Sequence, residues 1–249
     1  MPLNSQQQRR YARHLAMPEI GAEGQELLLR SRVLVVGAGG LGSPAALYLA
    51  AAGVGTIGVM DFDTVDLSNL QRQLLHTTAS VGTLKVVSAR ARIEALDPAI
   101  AVRPHPVRLT ERNAPELLAG YDFVIDATDN FASKFLIART CHSAGKPYSH
   151  AGIGDFHGQT MTVLPGTSAC YACIFSEEEA PADPIQPRGP LGALPGVIGS
   201  IQAIEAIKHL LGIGQLLTDT LLTFDALTMT FRKIPLPRDP RCKICGDVV

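Results

Sequence analysis

The chain has 249 residues, of which 46% are hydrophobic and 18% charged, with a net charge of −1. This length suits one sizeable α/β domain with a continuous core. The near-neutral balance, with a pI of about 6.6, excludes the strongly basic face that a nucleic-acid backbone selects. The most apolar late stretch, residues 191–217, is broken by Glu205, Lys208 and His209, so no membrane span is expected. The polar N-terminus shows no apolar h-region, and a cytoplasmic protein is expected.

Ser5-x-x-Gln8 matches a capping box and predicts a short helix over residues 6–15, stopped before Pro18. That helix carries Arg9, Arg10 and Arg13, for which a solvated basic face is the simplest reading. Arg32–Val36 is a β-branched run and predicts a buried parallel strand. It ends at Gly37-x-Gly39-x-x-Gly42, which opens a small-residue helix over residues 45–52. Glycines at this spacing let the backbone approach phosphates at a helix N-terminus. A second strand, Thr56–Met60, ends at Asp61, about twenty residues further on, where a carboxylate suits a ribose. On these features alone an NAD-dependent oxidoreductase fits as well as an ATP-using enzyme.

The segment from Asp61 to Gln73 tilts the reading, because Ser68, Asn69 and Arg72 are donors suited to phosphate oxygens. Lys85 adds a second cation at the start of the amphipathic stretch Lys85–Leu96. Residues 100–107 alternate weakly, carry prolines and predict an edge strand. A buried strand over residues 123–125 runs into Asp126-Ala127-Thr128-Asp129-Asn130, and a helix follows over Phe131–Ser143. Asp129 stands where a carboxylate could hold Mg²⁺ bridging phosphates, or cap the helix, or both. Strands alternating with helices predict an α/β fold with a doubly wound, Rossmann-like, mainly parallel sheet.

Beyond residue 150 the pattern changes. Residues 158–164 and 221–234 predict antiparallel strands that continue the sheet, and residues 196–211 a helix. Residues 176–195 hold three successive glutamates and five prolines and predict a mobile crossover loop. Cys170-x-x-Cys173 and Cys242-x-x-Cys245 are knuckles of the spacing tetrahedral Zn²⁺ requires, without a His or carboxylate to leave an open position. They predict a structural zinc tying the C-terminal tail to the strand region. Cys141 is left as a buried thiol, and none of the seven histidines shows ligand spacing or is assigned a role.

Taken together, Arg10-Tyr11-x-Arg13, Gly37-x-Gly39-Gly40-x-Gly42, Asp61-x-Asp63-x-Val65-x-x-Ser68-Asn69-Leu70-x-Arg72-Gln73, Lys85, the Asp126 to Asn130 run and the two cysteine pairs resemble the MoeB/ThiF/HesA family, bacterial relatives of ubiquitin-activating enzymes. The resemblance covers nearly the whole chain, with the motifs in the family's order. It implies adenylation of the C-terminal Gly-Gly carboxylate of a small ubiquitin-like sulfur carrier of the MoaD or ThiS kind, with release of pyrophosphate, for molybdopterin or thiamine sulfur transfer. ATP, Mg²⁺ and Zn²⁺ are the implied cofactors. By motif, Gly37, Gly39, Gly40 and Gly42 border the nucleotide, and Asp61 and Asp63 lie at the ribose side. Ser68, Asn69, Leu70, Gln71, Arg72 and Lys85 form the phosphate side, and Asp129 binds Mg²⁺ with Asn130 beside it. Arg13 reaches the ATP of a neighbouring subunit, which implies a homodimer; with Arg72, Lys85 and Asp129 it makes the catalytic set.

A single adenylyltransferase domain is expected, with a nucleotide-binding half over about residues 30–150 and a carrier-binding and zinc half over about residues 151–249. One departure from the family stands out. No cysteine lies between Cys173 and Cys242, and the position of the family's loop cysteine falls near Ile185. A covalent carrier–enzyme link is therefore not expected. A carrier-binding scaffold without catalysis is the third reading that the sequence leaves open.

Overall fold

The computed structural model describes residues 2–177 and 189–246. The chain begins with two short helices, α1 (Ser5–Arg10) and α2 (Ala12–Leu15), rather than one. The capping box is present one residue earlier than the sequence suggests. Asn4 Oδ1 accepts from Gln7 N at 2.9 Å and Gln7 Oε1 accepts from Asn4 N at 3.0 Å. Gln8 is diverted to the Leu3 carbonyl. The break falls at Tyr11, whose ring is buried and whose hydroxyl donates to Asp97 at 2.9 Å. Helix α3 (Gly21–Arg30) was not anticipated; two glycines in its first turn dilute the helical signal.

The alternating units follow: β1 (Arg32–Val36), α4 (Gly42–Ala51, beginning three residues before the expected Ala45), β2 (Thr56–Met60), α5 (Lys85–Leu96), β3 (Ala101–His105), the unanticipated short helix α6 (Ala114–Ala119), β4 (Phe123–Asp126) and α7 (Phe131–Ser143). Strand β5 (Tyr148–Gly154), hidden in the sequence by its glycines and His150, turns straight into β6 (His157–Val163). Helix α8 (Leu194–Leu211) and the hairpin β7 (Thr220–Asp225) and β8 (Thr230–Pro235) complete the chain. Of the expected crossover loop, residues 178–188, including Ile185, lie outside the described residues, and α8 starts two residues before the predicted Gly196.

The eight strands among the described residues form one sheet in the order β3-β2-β1-β4-β5-β6-β7-β8. Pairs from β3 to β5 are parallel, and those from β5 to β8 antiparallel. Pro104 sits in β3, the edge strand, where its missing N–H costs least. Two apolar layers sandwich the sheet. One packs Leu49, Ile93 and Ile198 from α4, α5 and α8, and the other packs Leu118, Phe135 and Tyr171 from α6, α7 and the first cysteine knuckle. Because β2 lies on one side of β1 and β4 on the other, the chain reverses direction there. The carboxyl ends of β1 and β4 therefore border the crevice where ligands of open α/β sheets bind.

Candidate active site

The crevice begins at Gly37, which has φ of +102° and whose N–H closes onto the Met60 carbonyl at 2.8 Å. A Cβ there would lie 2.6 Å from the Ala127 carbonyl oxygen, so this turn and the one after β4 touch through backbone alone. Gly42 is required for a different reason: its Cβ would fall 1.9 Å from the Gly37 carbonyl, closing helix α4 against the turn. The first N–H groups of α4 are thereby presented at the crevice, where they favour an anion.

Asp61 is buried at the end of β2. Its two oxygens accept from Ala38 N at 2.8 Å and Asp63 N at 2.9 Å, which clamps the carboxylate to the glycine turn. Buried Lys85 places Nζ 3.1 Å from Asp63 Oδ2 and 4.0 Å from Asp61 Oδ2. Arg72 lies alongside the glycine turn, with its Cγ 3.5 Å from where a Gly40 Cβ would sit and Nη1 3.3 Å from the Ser68 carbonyl.

After β4, the capping role open to Asp129 falls to its neighbour. Asn130 Oδ1 accepts from Ser133 N at 2.9 Å and caps α7, while Asp129 is exposed, with Asn130 Nδ2 at 3.3 Å its one hydrogen-bond partner among the described residues. Its carboxylate thus keeps free lone pairs toward the crevice. Behind it lies a buried group of charges. Burial alone would raise Asp126, but the Lys134 ammonium and hydrogen bonds from His150 and Thr128 outweigh it and bring the carboxyl down to about 2. Burial, helped by Lys134, pushes His150 down to about 4 against the pull of Asp126. This residue therefore folds neutral. Between its ordinary value and 4 the unfolded chain binds the extra proton, so stability present above about pH 6.5 is lost as pH falls toward 4. Unfolding by urea should show a loss of about 2 kcal/mol between pH 7.5 and pH 5, flattened in His150→Asn.

Many of these residues line one continuous cavity of about 1000 Å³. Of the sequence-predicted site residues it brings together Gly37, Gly39, Gly40, Asp61, Asp63, Arg72, Lys85, Asp129 and Asn130. Gly42, Ser68, Asn69, Leu70, Gln71 and Arg13 do not line it. Ser68 and Asn69 are engaged locally: the Ser68 hydroxyl donates to Asp66 at 2.6 Å, and Asn69 Oδ1 accepts from Asp66 N at 3.2 Å. Three contributions were given no role by the sequence reading, which quoted Gln73 and Asp126 only as motif positions. Gln73 is buried beside Gly39 with Oε1 lacking a partner among the described residues. At the cavity mouth the Arg108 guanidinium stands 4.0 Å over the Phe62 ring. The third is the Asp126–Lys134–His150 group.

The cavity is at the upper end of the range for small-molecule sites. It runs on past Gly152 and Gly158 to Thr223 and Arg232 on the terminal hairpin, leaving room for more than a nucleotide. The four knuckle cysteines sit apart from it. Cys170, Cys173, Cys242 and Cys245 hold their sulfurs within 4.8 Å of one another, as a metal-binding group does.

A nucleotide crevice at the switch point of an open sheet, with cations and carboxylates around a glycine turn, defines a Rossmann-like nucleotide-binding protein. The ThiF family pattern matches residues 11–244, and the chain belongs to that family. It is 44% identical over 245 residues to a sulfur carrier protein adenylyltransferase of Thermus thermophilus, covering 96% of this chain and 90% of that protein. Over 249 residues it is 46% identical to the SAMP-activating enzyme E1 of Haloferax volcanii, covering 99% and 92%. The fold is shared with E. coli MccB, whose structure was determined with ATP, at a TM-score of 0.83 and 22% identity over 98% of this chain and 75% of MccB.

Proposed function

We propose that this chain adenylates the C-terminal Gly-Gly carboxylate of a small ubiquitin-like sulfur carrier, releasing pyrophosphate, for molybdopterin or thiamine sulfur transfer. The observation that carries this is the meeting of Asp61, Arg72, Lys85 and Asp129 around the glycine turn, in a cavity that continues along a glycine-lined channel. Membership of the ThiF family and the two adenylyltransferase-like relatives support it. The Asp61 carboxylate orients the ribose. The turn's amides, Arg72 and Lys85 neutralise the phosphates, and the carrier tail brings its own nucleophile along the channel. Such a reaction needs alignment and charge stabilisation rather than covalent help from the protein.

Asp129, with its free lone pairs, would hold Mg²⁺, which when bound supplies further charge neutralisation at the phosphates. The cysteine group would hold structural Zn²⁺. With no cysteine between Cys173 and Cys242, the reaction stops at the acyl-adenylate. Residues 30–150 serve the nucleotide and residues 151–249 the carrier and zinc, joined through one sheet. ATP use and free thiols suit the reducing cytoplasm.

The enzyme acts as a homodimer. Arg13 is exposed and lies outside its own chain's cavity, which supports a role at a neighbour's. Exposed Tyr48 on α4 and Ile204 on α8, two helices packed together, offer apolar surface for a partner. The test is ATP–pyrophosphate exchange dependent on a Gly-Gly-ended carrier; absence of exchange with every such carrier of the host would sink the reading. Mixing inactive Arg13→Ala and Asp129→Ala chains should restore about a quarter of wild-type exchange, because each mixed dimer rebuilds one intact site. No recovery would place Arg13 in its own subunit's chemistry.

A further inference from the structure

An imidazole held by a carboxylate lies directly behind the Asp129 turn, and nothing in the adenylation described above uses it. Asp126 Oδ2 accepts from His150 Nδ1 at 2.9 Å, and Oδ1 accepts from Thr128 N at 3.1 Å and Thr128 Oγ1 at 2.6 Å. Lys134 Nζ, itself buried, lies 3.2 Å from Oδ2 and donates to the Ala151 carbonyl at 2.6 Å. From the opposite face of the sheet, Gln202 Nε2 reaches the backbone carbonyls of Asp126 and Ser149, each at 3.0 Å. Strands β4 and β5 and helices α7 and α8 are thus pinned at one residue.

General bases are often imidazoles oriented by a carboxylate in this way. Here that role fails on access: although the His150 ring borders the cavity, its Nε2 is buried and has no partner among the described residues, and the Tyr171 ring centroid lies 4.5 Å from that of the imidazole. A carboxylate nucleophile needs no base either. What the group controls is backbone position. The Asp126 side chain closes the turn onto Thr128, and the next residue is Asp129. The same turn meets the glycine turn where Ala127 O faces Gly37. Any shift of Asp126 moves Asp129 relative to the phosphate-binding backbone, and a displacement of 1 Å can cost about a hundredfold in rate.

We propose that His150 and Lys134 are positioning residues, which hold the Asp126 carboxylate and through it aim Asp129 at the metal and phosphates of the adenylation site. This rests on the adenylation reading. Asparagine at position 150 would place an amide nitrogen where Nδ1 stands, glutamine where Nε2 stands, and leucine neither.

In carrier-dependent exchange with the full chain, His150→Leu and His150→Gln should lose about tenfold to a hundredfold in kcat. They should also need about tenfold more Mg²⁺ for half-maximal rate, while His150→Asn recovers most of both. Calorimetry with ATP supplies a readout independent of turnover: the gain in affinity on adding Mg²⁺ shrinks in the leucine and glutamine variants, and binding without Mg²⁺ is unchanged. Should the leucine variant fail to fold, the asparagine and glutamine pair, matched by thermal unfolding, carries the comparison. Wild-type-like kcat and Mg²⁺ requirement in His150→Gln, or equal impairment of the asparagine and glutamine variants, would overturn the proposal. A wild type without exchange defeats the adenylation reading instead, and the calorimetric comparison still decides the role of His150.

Discussion

Replacing Asp129 by alanine should lower carrier-dependent ATP–pyrophosphate exchange by about a thousandfold and leave the fold intact. The two halves of this expectation come from the same local geometry. Among the described residues Asp129 is exposed, caps no helix and makes no buried hydrogen bond, so its loss should change stability by no more than about 0.5 kcal/mol. Its neighbour behaves in the opposite way. Asn130 caps α7 through Ser133 N, so Asn130→Ala should cost about 1 kcal/mol of stability and much less activity. Asp129→Asn keeps the shape and removes the charge. If the carboxylate serves Mg²⁺, that variant should be nearly as slow as alanine, and added Mg²⁺ should not restore it. Exchange rates and urea unfolding of the three variants measure this directly. An active Asp129→Asn would remove the metal role, and an unfolded Asp129→Ala would mean that the residue holds the fold.

That separation of roles could not be read from the sequence, where Asp129 and Asn130 are equally good caps. The parts that were legible depend on local chemistry. The β-branched run before Gly37 sets β1, the glycine spacing sets the turn, and a carboxylate at the next strand end sets Asp61. Lys85 follows from its place at the start of an amphipathic helix. Ser68 and Asn69 show the limit of donor chemistry alone: both side chains are engaged by Asp66 in a short local cap. Non-local pairings were out of reach for a different reason. Asp126 meets His150 because β4 and β5 pair with those residues in register. Strand β5 carries three polar or aromatic residues and two glycines, so neither its existence nor its register is visible beforehand. Helix α3 was missed through its glycines, and the Asn4 cap through competition with an adjacent Ser5 that fits the same pattern.

Loss of the metal at the four cysteines should be the largest single blow to stability. A tetrahedral Zn²⁺ with bonds of 2.3 Å requires sulfurs about 3.8 Å apart. Cys170 to Cys242 is 3.6 Å, Cys173 to Cys245 3.3 Å and Cys170 to Cys173 4.0 Å, which bracket that value. Burial pushes the Cys170 and Cys173 thiols up, so a bound metal must displace protons and its affinity should fall as pH drops. The group joins the knuckle after β6 to the segment after β8, and Arg238 adds a hydrogen bond to the Cys245 carbonyl. Its inner side packs Tyr171 against Phe135 at 4.8 Å and against His150, so a metal bound there would also brace the sheet face behind Asp126. Elemental analysis should find about one zinc per chain. Chelation, or Cys173→Ser, should cost several kcal/mol and lower Tm by about 10 °C or more. None of the four cysteines lines the cavity, so the remaining folded enzyme should keep its KM for ATP while activity falls with the folded fraction. A metal-free protein with an unchanged Tm would refute the structural role. A KM that rises with chelation at constant fold would instead put the metal in contact with substrate.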